Sequence, residues 1–83
     1  MKIDDLKKGT RVKQSNGWEA TLLDSKKGTI RNAEVYGDYT EAGSIYSHDI
    51  VAYQDRNGDW HNDVEYSQSQ QKCKKMNVAL FGG

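Results

Sequence analysis

The sequence predicts a mainly β domain, a small antiparallel barrel of five to six short strands with a short C-terminal helix. Three observations carry that prediction. Asn16-Gly17 and Asn57-Gly58 are tight-turn pairs with strand-like residues on both sides, and Asn-Gly tolerates the positive φ that hairpin turns require. Trp18, Ala20 and Leu22 alternate with Glu19 and Thr21, the period of two expected of a strand with one buried face. Ser67-Gln68-Ser69-Gln70 has capping-box spacing, with Ser67 as N-cap and Gln70 reciprocating from the third helical position.

Taken in order, Met1–Lys8 is a polar lead-in whose Ile3 and Leu6 can close one end of a core. Gly9 bends the chain into a first strand, Thr10–Gln14, with Val12 pointing inward. The Asn16-Gly17 turn leads to a second strand from Trp18 to about Asp24. Ser25-Lys26-Lys27-Gly28 has the form of a four-residue turn. A third strand covers Thr29–Tyr36, where Ala33 and Val35 share a face. Ile30 has the wrong parity for that face, which predicts a bulge or twist near Arg31. Gly37–Gly43 reads as an irregular loop between two glycines. Ser44–Tyr46 is a fourth strand, Ser47-His48-Asp49 a tight corner, and Ile50–Gln54 a fifth strand. The Asp55–Asp59 turn folds it onto a last strand around Trp60–Tyr66. The expected division is therefore a barrel over 1–66, then a helix and an apolar tail, Val78-Ala79-Leu80-Phe81, over 67–83. Such a tail is expected to pack on the barrel or on a partner.

The 83 residues make one domain near the lower size limit for a self-supporting core. Net charge is zero but unevenly spread: residues 1–31 carry +4, residues 32–66 carry −7 and residues 67–83 carry +3. This balance argues against a dedicated duplex-DNA binder and leaves an acidic middle able to face a basic partner surface. The single cysteine, Cys73, excludes an internal disulfide. With no secretory signal and no apolar run near 18 residues, a cytoplasmic location is expected and a membrane partner is not.

Leu6-x-x-Gly9-x-x-Val12, the Asn16-Gly17 hairpin and the corner before Ile50 together resemble an SH3-like small β-barrel, of the kind seen in KOW, Tudor-like and bacterial SH3-like domains. The resemblance covers Leu6–Tyr53, or to Tyr66 with the extra hairpin arm. The chain departs from signalling SH3 domains in lacking their acidic-aromatic motif and tandem Trp pair, and from a full KOW segment in lacking its spaced glycines. In size and tyrosine content it is similar to small accessory proteins of bacteriophages and prophages.

Catalytic chemistry finds little support. His48-Asp49 and His61-x-Asp63 are the nearest approach to a metal or acid–base cluster, yet turn capping and surface exposure explain the same residues. Asp55-x-Asn57-Gly58-Asp59 resembles a calcium loop, but its glycine falls at the fourth position rather than the sixth. Cys73 lies among lysines without a histidine placed beside it. The expectation is therefore a non-catalytic protein with no catalytic residue, cofactor or metal.

Two binding surfaces are expected instead. The first is Tyr36, Asp38, Tyr39, Glu41 and Tyr46, aromatic groups beside acids that suit a protein–protein hot spot. Its partner is expected to be a host protein or complex, modulated by a phage or mobile-element protein. The alternative is a nucleic-acid surface on the basic half, Lys7, Lys8, Arg11, Lys13, Lys26, Lys27 and Arg31. Homodimerisation through an open sheet edge is left open.

Overall fold

The computed structural model describes the backbone of residues 1–77 and side chains through Lys74. The expected apolar segment Val78–Phe81 lies outside the described residues. The chain forms β1 (Arg11–Gln14), β2 (Glu19–Leu22), β3 (Ile30–Tyr36), β4 (Thr40–Tyr46), β5 (Ile50–Gln54), β6 (Trp60–His61) and α1 (Gln68–Asn77), with 3₁₀ turns at Ile3–Asp5 and Ser47–Asp49. The six strands make one antiparallel sheet in the order β4-β3-β2-β1-β5-β6. The mainly β class with a short C-terminal helix is as expected.

The sheet must curl, for a geometric reason. β4 and β5 stand four positions apart in the strand order, which in a flat sheet is about 19 Å at ~4.8 Å per step. Only Ser47–Asp49 joins them, and three residues of 3₁₀ helix advance about 6 Å. Curling the sheet closes that gap and puts Ile45 of β4 and Ile50 of β5 into one core. Ile3, Leu6, Val12, Ala20, Leu22 and Ala33 complete it, so the lead-in does plug one end.

Both Asn-Gly pairs make hairpins, though not by the two-residue turn. Gly17 has φ 91° and Gly58 has φ 88°, while no non-glycine among the described residues has positive φ. Gln14 N–H donates to Trp18 O at 2.7 Å and Gly17 N–H to Gln14 O at 2.9 Å. Asp55 and Gly58 repeat this pattern with Asp59 O and Asp55 O. Each loop thus has three residues, ending on a left-handed glycine. Asp55 Oδ1 also accepts from the backbone of Asn57 and Asp59, which gives the calcium-like residues a role in the turn.

Several boundaries differ from expectation. The connection after β2 runs from Leu23 to Thr29 rather than through a tight four-residue turn. The segment Gly37–Gly43 is not an irregular loop. Only residues 37–39 turn, and Thr40–Gly43 extend β4 opposite Tyr36, Val35, Glu34 and Ala33. The glycines misled because Gly43 is a strand residue whose missing Cβ faces open space. No bulge occurs near Arg31: the β3–β4 register is continuous from Ile30↔Tyr46 to Tyr36↔Thr40, and Ile30 simply faces solvent. The irregularity lies instead between Lys13 and Gln14, where β1 meets β5. Trp18 falls outside β2 and is exposed. The last strand stops at His61 because the following chain turns to the N-terminal segment, where Ile3 N–H donates to Glu65 O and Glu65 N–H to Met1 O.

The capping box forms as read. Ser67 N–H donates to Gln70 Oε1 at 2.8 Å and Gln70 N–H to Ser67 Oγ at 3.2 Å. Gln70 also docks the helix: its fully buried Nε2 donates to Asp4 Oδ1 and to Gly28 O. Among the described residues no helix is long and apolar enough to cross a membrane.

Candidate protein-interaction edge

The β3–β4 hairpin carries the first predicted surface and distributes it over two ends. In an antiparallel ladder, directly opposed residues share a face. Tyr36↔Thr40, Glu34↔Ala42, Asn32↔Ser44 and Ile30↔Tyr46 therefore face outward, and Val35↔Glu41, Ala33↔Gly43 and Arg31↔Ile45 face the other way. Asp38 and Tyr39 occupy the tip, where Tyr39 is 78 % exposed. Tyr46 lies at the far end of β4, some 20 Å away at about 3.3 Å per residue.

Tyr36 is less available than the sequence suggests. Its hydroxyl is 2.8 Å from Thr21 Oγ1, and the Arg11 guanidinium stands 4.3 Å over its ring. Glu41 is exposed but projects from the face opposite Tyr36. The tip is anchored from below: Trp18 packs on Gly37, so closely that a Cβ there would fall 2.6 Å from Cε3 and Cη2 of the indole.

Sequence reasoning missed two parts of this surface. Ile30, 53 % exposed, stands directly opposite Tyr46, 52 % exposed, and the two help line a shallow groove with Ser44 and Ile45. The parity misfit of Ile30 was the available signal for an outward apolar residue. The second is the backbone of β4 itself. Among the described residues β4 pairs only with β3, and six of its seven residues are exposed. Its sequence, Thr-Glu-Ala-Gly-Ser-Ile-Tyr, carries one charge and neither lysine nor proline, the residues that ordinarily shield an edge.

The basic set is divided as well. Arg31 does not belong to any surface: it has no exposed area and donates to Asp24 Oδ1 at 2.8 Å, to Leu6 O at 2.6 Å and to Ile3 O at 3.2 Å. A guanidinium at an inward β3 position can be buried only because these acceptors surround it. Arg11 is paired with Glu19 at 3.1 Å. Lys13 lies 4.9 Å over the Trp60 ring. The loops that carry Lys7–Lys8 and Lys26–Lys27 are joined, because Lys8 N–H donates to Ser25 Oγ. Arg56, which the sequence reading did not include, faces Lys7 and Lys8 across a shallow groove.

The histidines are apart. His48 is buried in the Ser47–Asp49 turn and stacks on Tyr46 at 5.1 Å. His61 stacks on Tyr53 and lies 2.7 Å from Asp55 Oδ2. That hydrogen bond raises the His61 pKa and lowers that of Asp55. Among the described residues no three His, Cys, Asp or Glu side chains converge as metal ligands would.

No family model, curated protein or solved structure matches the chain.

Proposed function

We propose that the chain is a non-catalytic binding domain that engages a protein partner through the β3–β4 hairpin. The observation that carries this reading is the edge of β4, which has no further strand beside it among the described residues and is flanked by exposed Tyr39 at one end and by Ile30 and Tyr46 at the other. Exposed aromatic and aliphatic side chains beside unpaired backbone are what a protein interface buries to advantage. The meander returning through a 3₁₀ turn to pair β5 with β1 supports the SH3-like reading of the fold. In the bacteriophage or mobile-element setting that partner is a host protein or complex, met in the cytoplasm.

The test is affinity purification from the native host, with nuclease treatment, of the wild type and of Tyr39→Ala and Ile30→Ser variants. A stoichiometric protein that survives nuclease and is lost with either variant is the expected result. Recovery unchanged in both variants would remove the hairpin assignment.

A second reading, nucleic-acid binding, draws on the joined loops that carry Lys7, Lys8, Lys26 and Lys27 and on the groove that Arg56 lines with Lys7 and Lys8. It requires affinity that falls steeply between 50 and 200 mM salt as counterions are released, roughly 10³-fold or more for six phosphate contacts.

A further inference from the structure

We infer that β4 accepts an extended, basic segment of its partner as a seventh strand, with an apolar side chain of that segment seated at Ile30 and Tyr46. This deepens the protein-binding reading above and rests on it. Three observations favour that occupant over any other. The outer side of β4 offers a seven-residue row of backbone donors and acceptors with no pairing partner among the described residues, and only another extended chain satisfies such a row along its length. Ala42, Gly43 and Ser44 at the middle of the strand are small, and the Cβ position of Gly43 is open, so an incoming backbone meets no steric barrier. The exposed charged residues of the hairpin, Asp38 and Glu41, are both negative, and Glu34 is half-buried. Glu34, Asp38 and Glu41 lie toward the tip, and the single cation between Ile30 and Tyr46, Arg31, is buried.

The charges also separate a partner strand from a second copy of this chain. Two β4 strands paired antiparallel about Gly43 would satisfy the backbone. However, β4 carries one acid and no base, so each copy would leave the acids of the other unanswered. A segment alternating basic and apolar residues answers both features. Its apolar residues, two apart, fall on one face and one of them reaches the groove lined by Ile30, Ser44, Ile45 and Tyr46. With those apolar residues on the outward face, its basic residues fall on the other face, where they meet Glu41.

The test uses three synthetic acetylated octapeptides: four Lys-Val repeats, the same sequence N-methylated at every residue, and four Glu-Val repeats. Binding to the intact protein is followed by NMR, with backbone amide exchange as the second readout. The Lys-Val peptide is expected to bind at least ten-fold more tightly than either other and to slow exchange of β4 amides that are open in the free protein. A Gly43→Lys, Ser44→Lys double variant, which adds charge to both faces of the edge while leaving the core alone, is expected to abolish the difference. Equal binding by Lys-Val and its N-methylated form would overturn strand addition, since the methylated peptide keeps the charge and side chains but has no backbone N–H to donate. Equal binding by Glu-Val would overturn the basic preference. Absence of Lys-Val binding, in a protein that still captures a Tyr39-dependent partner from the host, would overturn strand addition while leaving the protein-binding reading intact.

Discussion

The Arg31 guanidinium and the Asp24 carboxylate form an ion pair at 2.8 Å in which the arginine has no exposed surface and the aspartate very little. The pair ties β3 to the loop after β2. The remaining Arg31 donors hold the carbonyls of Ile3, Leu6 and Asp24, so one side chain fixes the lead-in, the loop and the sheet together. Asp24 experiences burial, which alone would raise its pKa, but the hydrogen bonds from Arg31 and from the backbone of Asn32 and Lys26 outweigh it and the pKa is lowered.

Arg31→Ala is expected to cost about 3–5 kcal/mol, because it leaves the Asp24 carboxylate without its counter-ion and removes the Arg31 donors from the Leu6 and Asp24 carbonyls. That is a large share of the roughly 4–12 kcal/mol available to a domain of this size. Urea unfolding would measure it, and Lys26→Ala on the exposed loop serves as the comparison, with no measurable loss. Since the Asp24 pKa is depressed on folding, its contribution is present above the ordinary carboxylate range and disappears as pH falls through the lowered value. Wild type should therefore lose stability in acid more steeply than Asp24→Asn.

Gly37→Ala places a methyl group inside the space of the Trp18 indole. Trp18 is 44 % exposed, so the ring has solvent to move into and the expected cost is about 1 kcal/mol, the low end for overpacking. The Trp18 indole N–H resonance should shift while that of Trp60 stays in place. A Gly37→Ala protein that unfolds would show that the indole is locked.

His61 and Asp55 titrate as partners. The His61 pKa is raised, chiefly by its hydrogen bond to Asp55, and the Asp55 pKa is lowered, chiefly by the same bond. Stability from His61 is present below its unfolded pKa and lost as pH rises through the folded value. Stability from Asp55 is present above its unfolded pKa and lost as pH falls through its depressed value. The pair therefore acts between the ordinary carboxylate range and a pH above about 6.5. NMR titration should give His61 a midpoint above that value in wild type, and Asp55→Asn should bring it down.

Gln70 holds α1 to the barrel through Asp4 and Gly28. Gln70→Ala is expected to cost about 1–3 kcal/mol, from the lost cap and the two lost bonds to Asp4 and Gly28, with helical circular dichroism melting before the sheet. The Asp4 and Gly28 oxygens keep Gly28 N–H and Ser47 Oγ, respectively, as donors. Gln70→Glu sets a second carboxylate against Asp4. It should be more destabilised at pH 7 than at pH 4, where protonation of the new carboxyl relieves the repulsion.

Local chemistry was readable from the chain alone. The Asn-Gly hairpins, the inward Val12, Ala20 and Leu22, and the Ser67–Gln70 capping box depend on residues a few positions apart, and the structure forms each of them. What the chain could not show were relations between distant segments. Arg31 reads as one of seven surface cations until the lead-in carbonyls and Asp24 close around it. Gly43 reads as a loop residue until β3 pairs with it. Ile30 reads as a misfit until it is seen opposite Tyr46. The candidate edge shares this dependence: whether β4 ends the sheet is decided by strand order, and strand order follows from curling the meander until β5 meets β1. Sequence determined the two Asn-Gly turns, the alternation of β1 and β2 and the helix cap because their energetics are local. Tertiary structure decided which charges are buried and which edge stays open, because burial and pairing are properties of the closed sheet.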